Sequence, residues 1–359
     1  MASKDQRARL AGPLRIWAGI AIAAAAAFGQ TSIEIGAAGV ERFDLPVEVP
    51  LDGLPSGNFH VEEVDGERRT LDKRVPMQLD ESALIILLKG RTPSGSRRRF
   101  VVLPGSPAEQ KPLVRLAGER EYEGQKSYRI ETRNAVYLYH RQGAGFARLD
   151  DAGGRDWIGY RLEGGPDGKF RGIPNLVHPE GYFHPGGTGC TTRVAGAGPL
   201  RIGLHSDSDD GKWAVRWDIF PDTARLTVLR HSKPYWFLYE GTPAGNLEPE
   251  HQYMTLSDGR RIRATERWDA DMPKPGWIYF GDEKYKRVLF LAQHEDDEAI
   301  GSYWPMQGQM TVFGFGRRKL EKFLDRSPAR FTIGFADNAA QAPAAIAAAT
   351  REVTISVRQ

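Results

Sequence analysis

One cysteine, Cys190, stands among 359 residues, so the fold cannot rest on intrachain disulfides. Its setting, Gly-Thr-Gly-Cys-Thr-Thr, has no basic neighbour to lower the thiol pKa, and it reads as a small buried residue rather than a nucleophile. The sequence also lacks a GxSxG elbow, a Walker A loop and a GxGxxG fingerprint, which leaves serine-hydrolase and nucleotide chemistry without support. No repeat of fixed period is visible, which argues against a propeller or a solenoid. A basic field is missing as well. The net charge of +3 resides in residues 1–29, where Lys4, Arg7, Arg9 and Arg15 face Asp5 alone. Beyond them 49 less 4 basic residues balance 46 less 1 acidic ones, 45 against 45, so a nucleic-acid partner is excluded.

The longest apolar run is also short. A basic stretch through Arg15 leads into Ile16-Trp17-Ala18-Gly19-Ile20-Ala21-Ile22 and an alanine run ending near Phe28-Gly29. Roughly 13 apolar residues fall short of the ~20 that a spanning helix needs. The pattern of basic region, apolar region and small-residue exit predicts a cleaved export signal over 1–29 and a periplasmic or extracellular protein. The alternative is an uncleaved anchor. No later segment is apolar enough to span, so no membrane span is expected after cleavage.

What the chain does have is strand pattern. Phe43–Val49 and Asn58–Val64 alternate apolar and polar residues, Asp65-Gly66 is a turn signal, and Ala83–Leu88 is a continuous apolar run suited to a strand buried on both faces. Arg97-Arg98-Arg99 reads as the solvated start of a strand. A Pro- and Gly-rich stretch at 104–112 follows. Further strands are expected over 128–132, 136–140, 213–220, 224–229, 277–280, 288–292 and 331–335, whereas helical pattern is confined to 317–324 and the Ala-rich 339–350. The predicted fold is mainly β: a small N-terminal β-sandwich over 31–115, then a large antiparallel β-supersandwich over 116–359 that carries the site.

Val75-Pro76-Met77-Gln78-Leu79-Asp80 and the pair Leu88-Lys89-Gly90 and Arg97-Arg98-Arg99-Phe100 precede a long β region with a Tyr- and His-rich centre. Across about 30–355 this layout resembles carbohydrate-active proteins of secreted bacterial type with a galactose-mutarotase-like supersandwich, including rhamnogalacturonan exolyase-like polysaccharide lyases. The resemblance implies a polysaccharide or oligosaccharide partner.

Pro174–Gly187 is the densest chemical segment, placing His178, Glu180, Tyr182 and His184 within seven positions among prolines and glycines. Loops of this kind on a rigid scaffold are where sites tend to lie, and the alternative is a Pro-braced loop whose histidines cap strands. Around the 231–243 segment, alternation puts Tyr235, Phe237 and Tyr239 on one strand face and Trp236, Leu238 and Glu240 on the other. The predicted catalytic set is His178, Tyr182, His184, Tyr239 and Glu240. Arg193, Arg216 or Arg263 would clamp a carboxylate, and His251, Tyr253, His294, Tyr303 and Trp304 would contact sugar. The leading reaction is β-elimination on a uronate-containing glycan with Tyr/His acid–base groups. The alternatives are hydrolysis or epimerisation with Glu240 and Glu180 as paired carboxyls, and binding without turnover. No cofactor is required. Zinc on His178 and His184, or calcium on the acidic turns at 206–211 and 294–298, are the divalent-cation alternatives.

Overall fold

The computed structural model describes residues 31–163, 171–180, 182–296 and 300–359. The export-signal segment 1–29, together with Asp297 and Glu298 of the acidic turn, lies outside them. Strand accounts for 53 % and helix for 4 %, in antiparallel sheets throughout, so the mainly β reading holds. No helix among the described residues is long and apolar enough to cross a membrane.

The first unit packs a three-stranded sheet (Arg42–Val49, Leu84–Thr92, Met77–Leu79) on a five-stranded one. Leu84–Leu88 is the strand the apolar run predicts, central between its two neighbours and buried at every position. Its Leu84, Ile86 and Leu88 join Ile33, Ile35, Phe59, Val61, Phe100 and Val102 in a core of their own, while Ile85 and Leu87 pack with Leu200 on the other face. The five-stranded sheet is completed from the far end of the chain. Thr354–Arg358 pairs with Ser32–Gly36, setting Val357 opposite Ile33 and Ile355 opposite Ile35.

The second unit is a nine-stranded sheet, from Cys190–Ala197 at one edge to Arg261–Arg263 at the other, covered by two four-stranded sheets. One runs from Gly145–Asp151 to Val114–Tyr122, the other from Phe237–Gly241 to Trp268–Asp271. Aromatic rings join the layers: Phe146 meets Trp217 at 4.5 Å, and Phe237 stacks on Phe331 at 4.5 Å. Residues 172–176 stitch the two four-stranded sheets edge to edge. Phe146 N–H donates to Ile173 O at 2.7 Å on one side, and Gly172 N–H donates to Glu240 O at 2.7 Å on the other. Gly172 has φ +152°, and a Cβ there would collide with the Pro185 ring, so only glycine lets this stitch lie flat under the following loop.

Two helical expectations part ways. The Ala-rich segment forms Ala342–Thr350, packed on Tyr253, Tyr279, Val288 and Phe290. Residues 317–324 form a β-hairpin instead, Arg317–Arg318 against Glu321–Lys322. Gly316 at φ +66° turns the chain, and a Cβ there would strike Leu324. The Leu324 and Tyr235 backbones exchange hydrogen bonds at 2.8 and 2.9 Å. Tertiary pairing and two left-handed residues, Gly316 and Lys319, override an amphipathic spacing.

Candidate functional site

Glu240 lies on the strand Phe237–Gly241, and alternation decides which way it looks. Phe237 and Tyr239 point into the main core, while Trp236 and Leu238 cluster with Met310 and Val312 on the opposite face that Glu240 shares. Two covers close over that face, the 174–187 loop and the 317–322 hairpin.

His184 Nε2 and Glu240 Oε2 are 3.1 Å apart, and both side chains are nearly buried. A carboxylate oxygen accepts, so the pair is a hydrogen bond from Nε2 to Oε2. Asn175 Nδ2 donates to the same oxygen at 3.2 Å, and its Oδ1 accepts the His178 N–H at 3.1 Å. Glu240 Oε1 receives no hydrogen bond among the described residues. The carboxylate is thus oriented through one oxygen and open at the other. Burial lowers the pKa of His178, opposed by the Glu240 charge and reinforced by His184 and Lys322, which places all three within electrostatic reach of it. The hairpin supplies cations. Lys322 Nζ donates to His178 O at 2.6 Å and stands 4.4 Å over the Trp236 ring, with Arg317 over the same ring at 5.9 Å.

The loop is held in a costly shape. Phe183 has φ +51° with its side chain fully buried, a conformation that costs a bulky residue about 1–3 kcal/mol. Beneath it, His140 Nδ1 accepts the Gly186 N–H at 3.1 Å, and its Nε2–H donates to Tyr122 O at 3.0 Å. Both ring nitrogens are committed to the neutral form, and burial pushes the pKa down to about 4. His140 is therefore a fixed post under the loop.

Of the predicted catalytic set, the structure brings together His178, His184 and Glu240. Tyr239 is a correction: its ring is fully buried and its hydroxyl donates to Trp157 O at 2.7 Å, so it serves the core. Tyr182 is half-buried against the core beside Phe183 and makes no hydrogen bond to Glu240 or either histidine. Glu180 is ion-paired to Lys233, which removes it as a partner carboxyl for Glu240.

The predicted binding residues are dispersed. Arg216 chelates Asp218 at 2.9 and 3.1 Å on the nine-stranded sheet, and Arg193 lies on that sheet's edge strand. Arg263 donates to Glu250 O from the opposite edge, where Tyr253 lies under the Arg261 guanidinium. His251 sits in the turn before that strand. His294 bonds Thr332 Oγ1 at 2.7 Å, and burial pushes its pKa down to about 3. The Tyr303 hydroxyl donates to Ala264 O in the core, and half-buried Trp304 packs under Arg267. None of these eight reaches Glu240. Sequence reading missed Asn175, Arg317 and Lys322. Asn175 stood inside the dense segment, and the two cations were hidden by the helical spacing of 317–324.

Among the described residues no three or more His, Cys, Asp or Glu side chains are grouped to hold a metal ion. A cavity of about 550 Å³ lies away from Glu240, between the first unit, the nine-stranded sheet and the helix. Of its arginines, Arg133 is paired with Asp222 and Asp44 and Arg225 with Glu48, while buried Arg42 donates to the backbone carbonyls of Ala37, Ala348 and Arg351.

No protein-family model matches the chain, and no curated protein matches it. Solved structures do. An alpha-mannosidase from Enterococcus faecalis V583 superposes with a TM-score of 0.56 at 8% identity, over 92% of this chain and 46% of the mannosidase. A glycosyl hydrolase family 38 protein from Enterococcus faecalis gives 0.54 at 8% identity, over 92% and 47%. A galactose mutarotase related enzyme from Lactobacillus acidophilus gives 0.41 at 10% identity, over 59% and 98%, too loose a superposition to argue from. The chain spans under half the length of the first two, and none of the three is described as a polysaccharide lyase. What this chain shares with the two Enterococcus proteins is the fold, nearly from end to end.

Proposed function

We propose that this protein is a carbohydrate-active enzyme that moves protons at the anomeric centre of a sugar, with Glu240 as base and the histidines beside it as acid. The buried His184–Glu240 pair, fixed at Oε2 and open at Oε1, carries this reading. In aldose epimerisation the base takes the proton of the anomeric hydroxyl as the C1–ring oxygen bond breaks, and an acid protonates the ring oxygen. Rotation about C1–C2 and the reverse steps give the other anomer. A carboxylate and an imidazole on one small face suit that exchange. The fold shared with the alpha-mannosidase supports a sugar substrate by analogy.

Hydrolysis by paired carboxyls is less well supported, because Glu180 is tied to Lys233. Elimination with a tyrosine acid is weakened by the burial of Tyr239. The test is exchange spectroscopy of α and β anomers across a panel of aldoses. Interconversion well above the uncatalysed rate, lost in Glu240→Gln, is expected; a background rate on every aldose overturns the reading. We also propose export through residues 1–29, which N-terminal sequencing of the mature protein tests.

A further inference from the structure

The charges around Glu240 do not cancel. Asp269 and Glu240 act on Arg317, as does Arg267, and Lys322 stands beside them. Arg317, Arg267 and Lys322 are three cations against the two carboxylates of Glu240 and Asp269, and Lys233 is paired with Glu180. Among the described residues Lys322 forms no ion pair. One of its three N–H bonds goes to His178 O and the Trp236 face supports the ammonium, which leaves two N–H bonds without a protein acceptor. Trp236 is itself only 2% exposed, so it steadies the cation and offers no platform to a sugar. Arg317 is 5% exposed, donates to Lys319 O through Nε and to Val312 O through Nη1, and feels the Glu240 charge without an ion pair to it. Exposed Arg267 stacks on Trp304, which leaves half-buried Lys322 as the cation at the His178 loop with no acid among the described residues.

We infer that the substrate is an anionic sugar, its carboxylate or phosphate held by Lys322 Nζ while Glu240 Oε1 meets the anomeric hydroxyl. This rests on the sugar reading of the Glu240 site. Burial and the neighbouring Lys233 both hold the Lys322 pKa below its ordinary value, and a bound anion would relieve that cost. A hydrogen bond to a charged group contributes about 1.5–3 kcal/mol, so the acidic sugar should bind roughly ten- to a hundredfold tighter than its neutral parent.

Calorimetric titration of glucose, mannose and galactose against their uronates and 6-phosphates tests this, at low salt and in high salt. In at least one series an acidic member should win by about tenfold or more, with the margin shrinking in salt. The winner, uronate or phosphate, names the anion. Lys322→Met should bring the acidic-to-neutral ratio close to one, and Lys322→Arg should keep most of it. Equal binding of acidic and neutral sugars, or an unchanged ratio in Lys322→Met, overturns the anion subsite and leaves the sugar reading standing. No binding of any sugar overturns both.

Discussion

Two places in this molecule bury several charges together, and they are built on opposite rules. At the seam between the units Arg201, only 1% exposed, contacts Glu48, Asp80 and Asp218. Arg216 and Arg225 join the same acids, Arg225 reaching Glu48 at 2.5 Å, so three guanidinium groups meet three carboxylates. Asp80 and Glu48 come from the first unit and the arginines from the nine-stranded sheet. Every charge is answered and the whole cluster is a fastener. Around Glu240 the groups are fewer, and among the described residues one carboxylate oxygen takes no hydrogen bond and the Lys322 ammonium has no acid. Burial alone does not distinguish a site from a clasp, because both are buried. The unmatched charge does.

Substitutions can break this contrast, and the largest effect is expected at Glu240. Glu240→Gln keeps the shape and should lower turnover by about 10²–10⁴-fold with the melting temperature nearly unchanged. If activity and stability fall together, Glu240 is structural. Arg201→Met should do the reverse. It strips Asp80 of its only arginine and thins the pairing of Glu48 and Asp218, and should cost about 3–5 kcal/mol of unfolding free energy, read by urea titration, with turnover per folded molecule preserved.

A third measurement concerns pH. His140 and His294 have folded pKa values of about 4 and about 3, below the unfolded value near 6.5. The unfolded chain therefore binds more protons between these values. Stability present above pH 6.5 should be lost as pH falls toward 4, by up to about 1.4 kcal/mol per pH unit for each histidine. His294→Gln should flatten that slope by one proton, and an unchanged slope would show that His294 titrates normally. The smallest effect is at Cys190, whose thiol burial pushes up to about 12. It should resist a thiol reagent in the native protein and react only on unfolding; rapid native labelling would contradict its place in the core.

Much of the fold was legible because alternation is local. Strands expected at 83–88, 213–220 and 331–335 are found at 84–92, 214–219 and 329–336, the first running past Lys89-Gly90 to Thr92. The same pattern separated Tyr239 from Glu240 onto opposite faces. It was silent on which face meets the nine-stranded sheet, since both faces of Phe237–Gly241 are buried. Hence Tyr239 looked catalytic while its hydroxyl was committed to Trp157 O. Arg216 looked like a free clamp for the same reason, because Asp218 two positions on is visible in sequence but the chelation is not. Lys322 was hidden by a spacing that suited a helix, and only the Tyr235–Leu324 pairing reveals the hairpin.

The pairing of Thr354–Arg358 with Ser32–Gly36 gives the chain an order of assembly. Ile33 and Ile35 belong to a strand one of whose two neighbours arrives only when the chain returns to it at Thr354–Arg358. Until then that strand offers an open row of amides and carbonyls to any extended peptide nearby. The folding molecule thus carries an adhesive margin until that pairing forms, and its closing stitch is also what shields it from its neighbours.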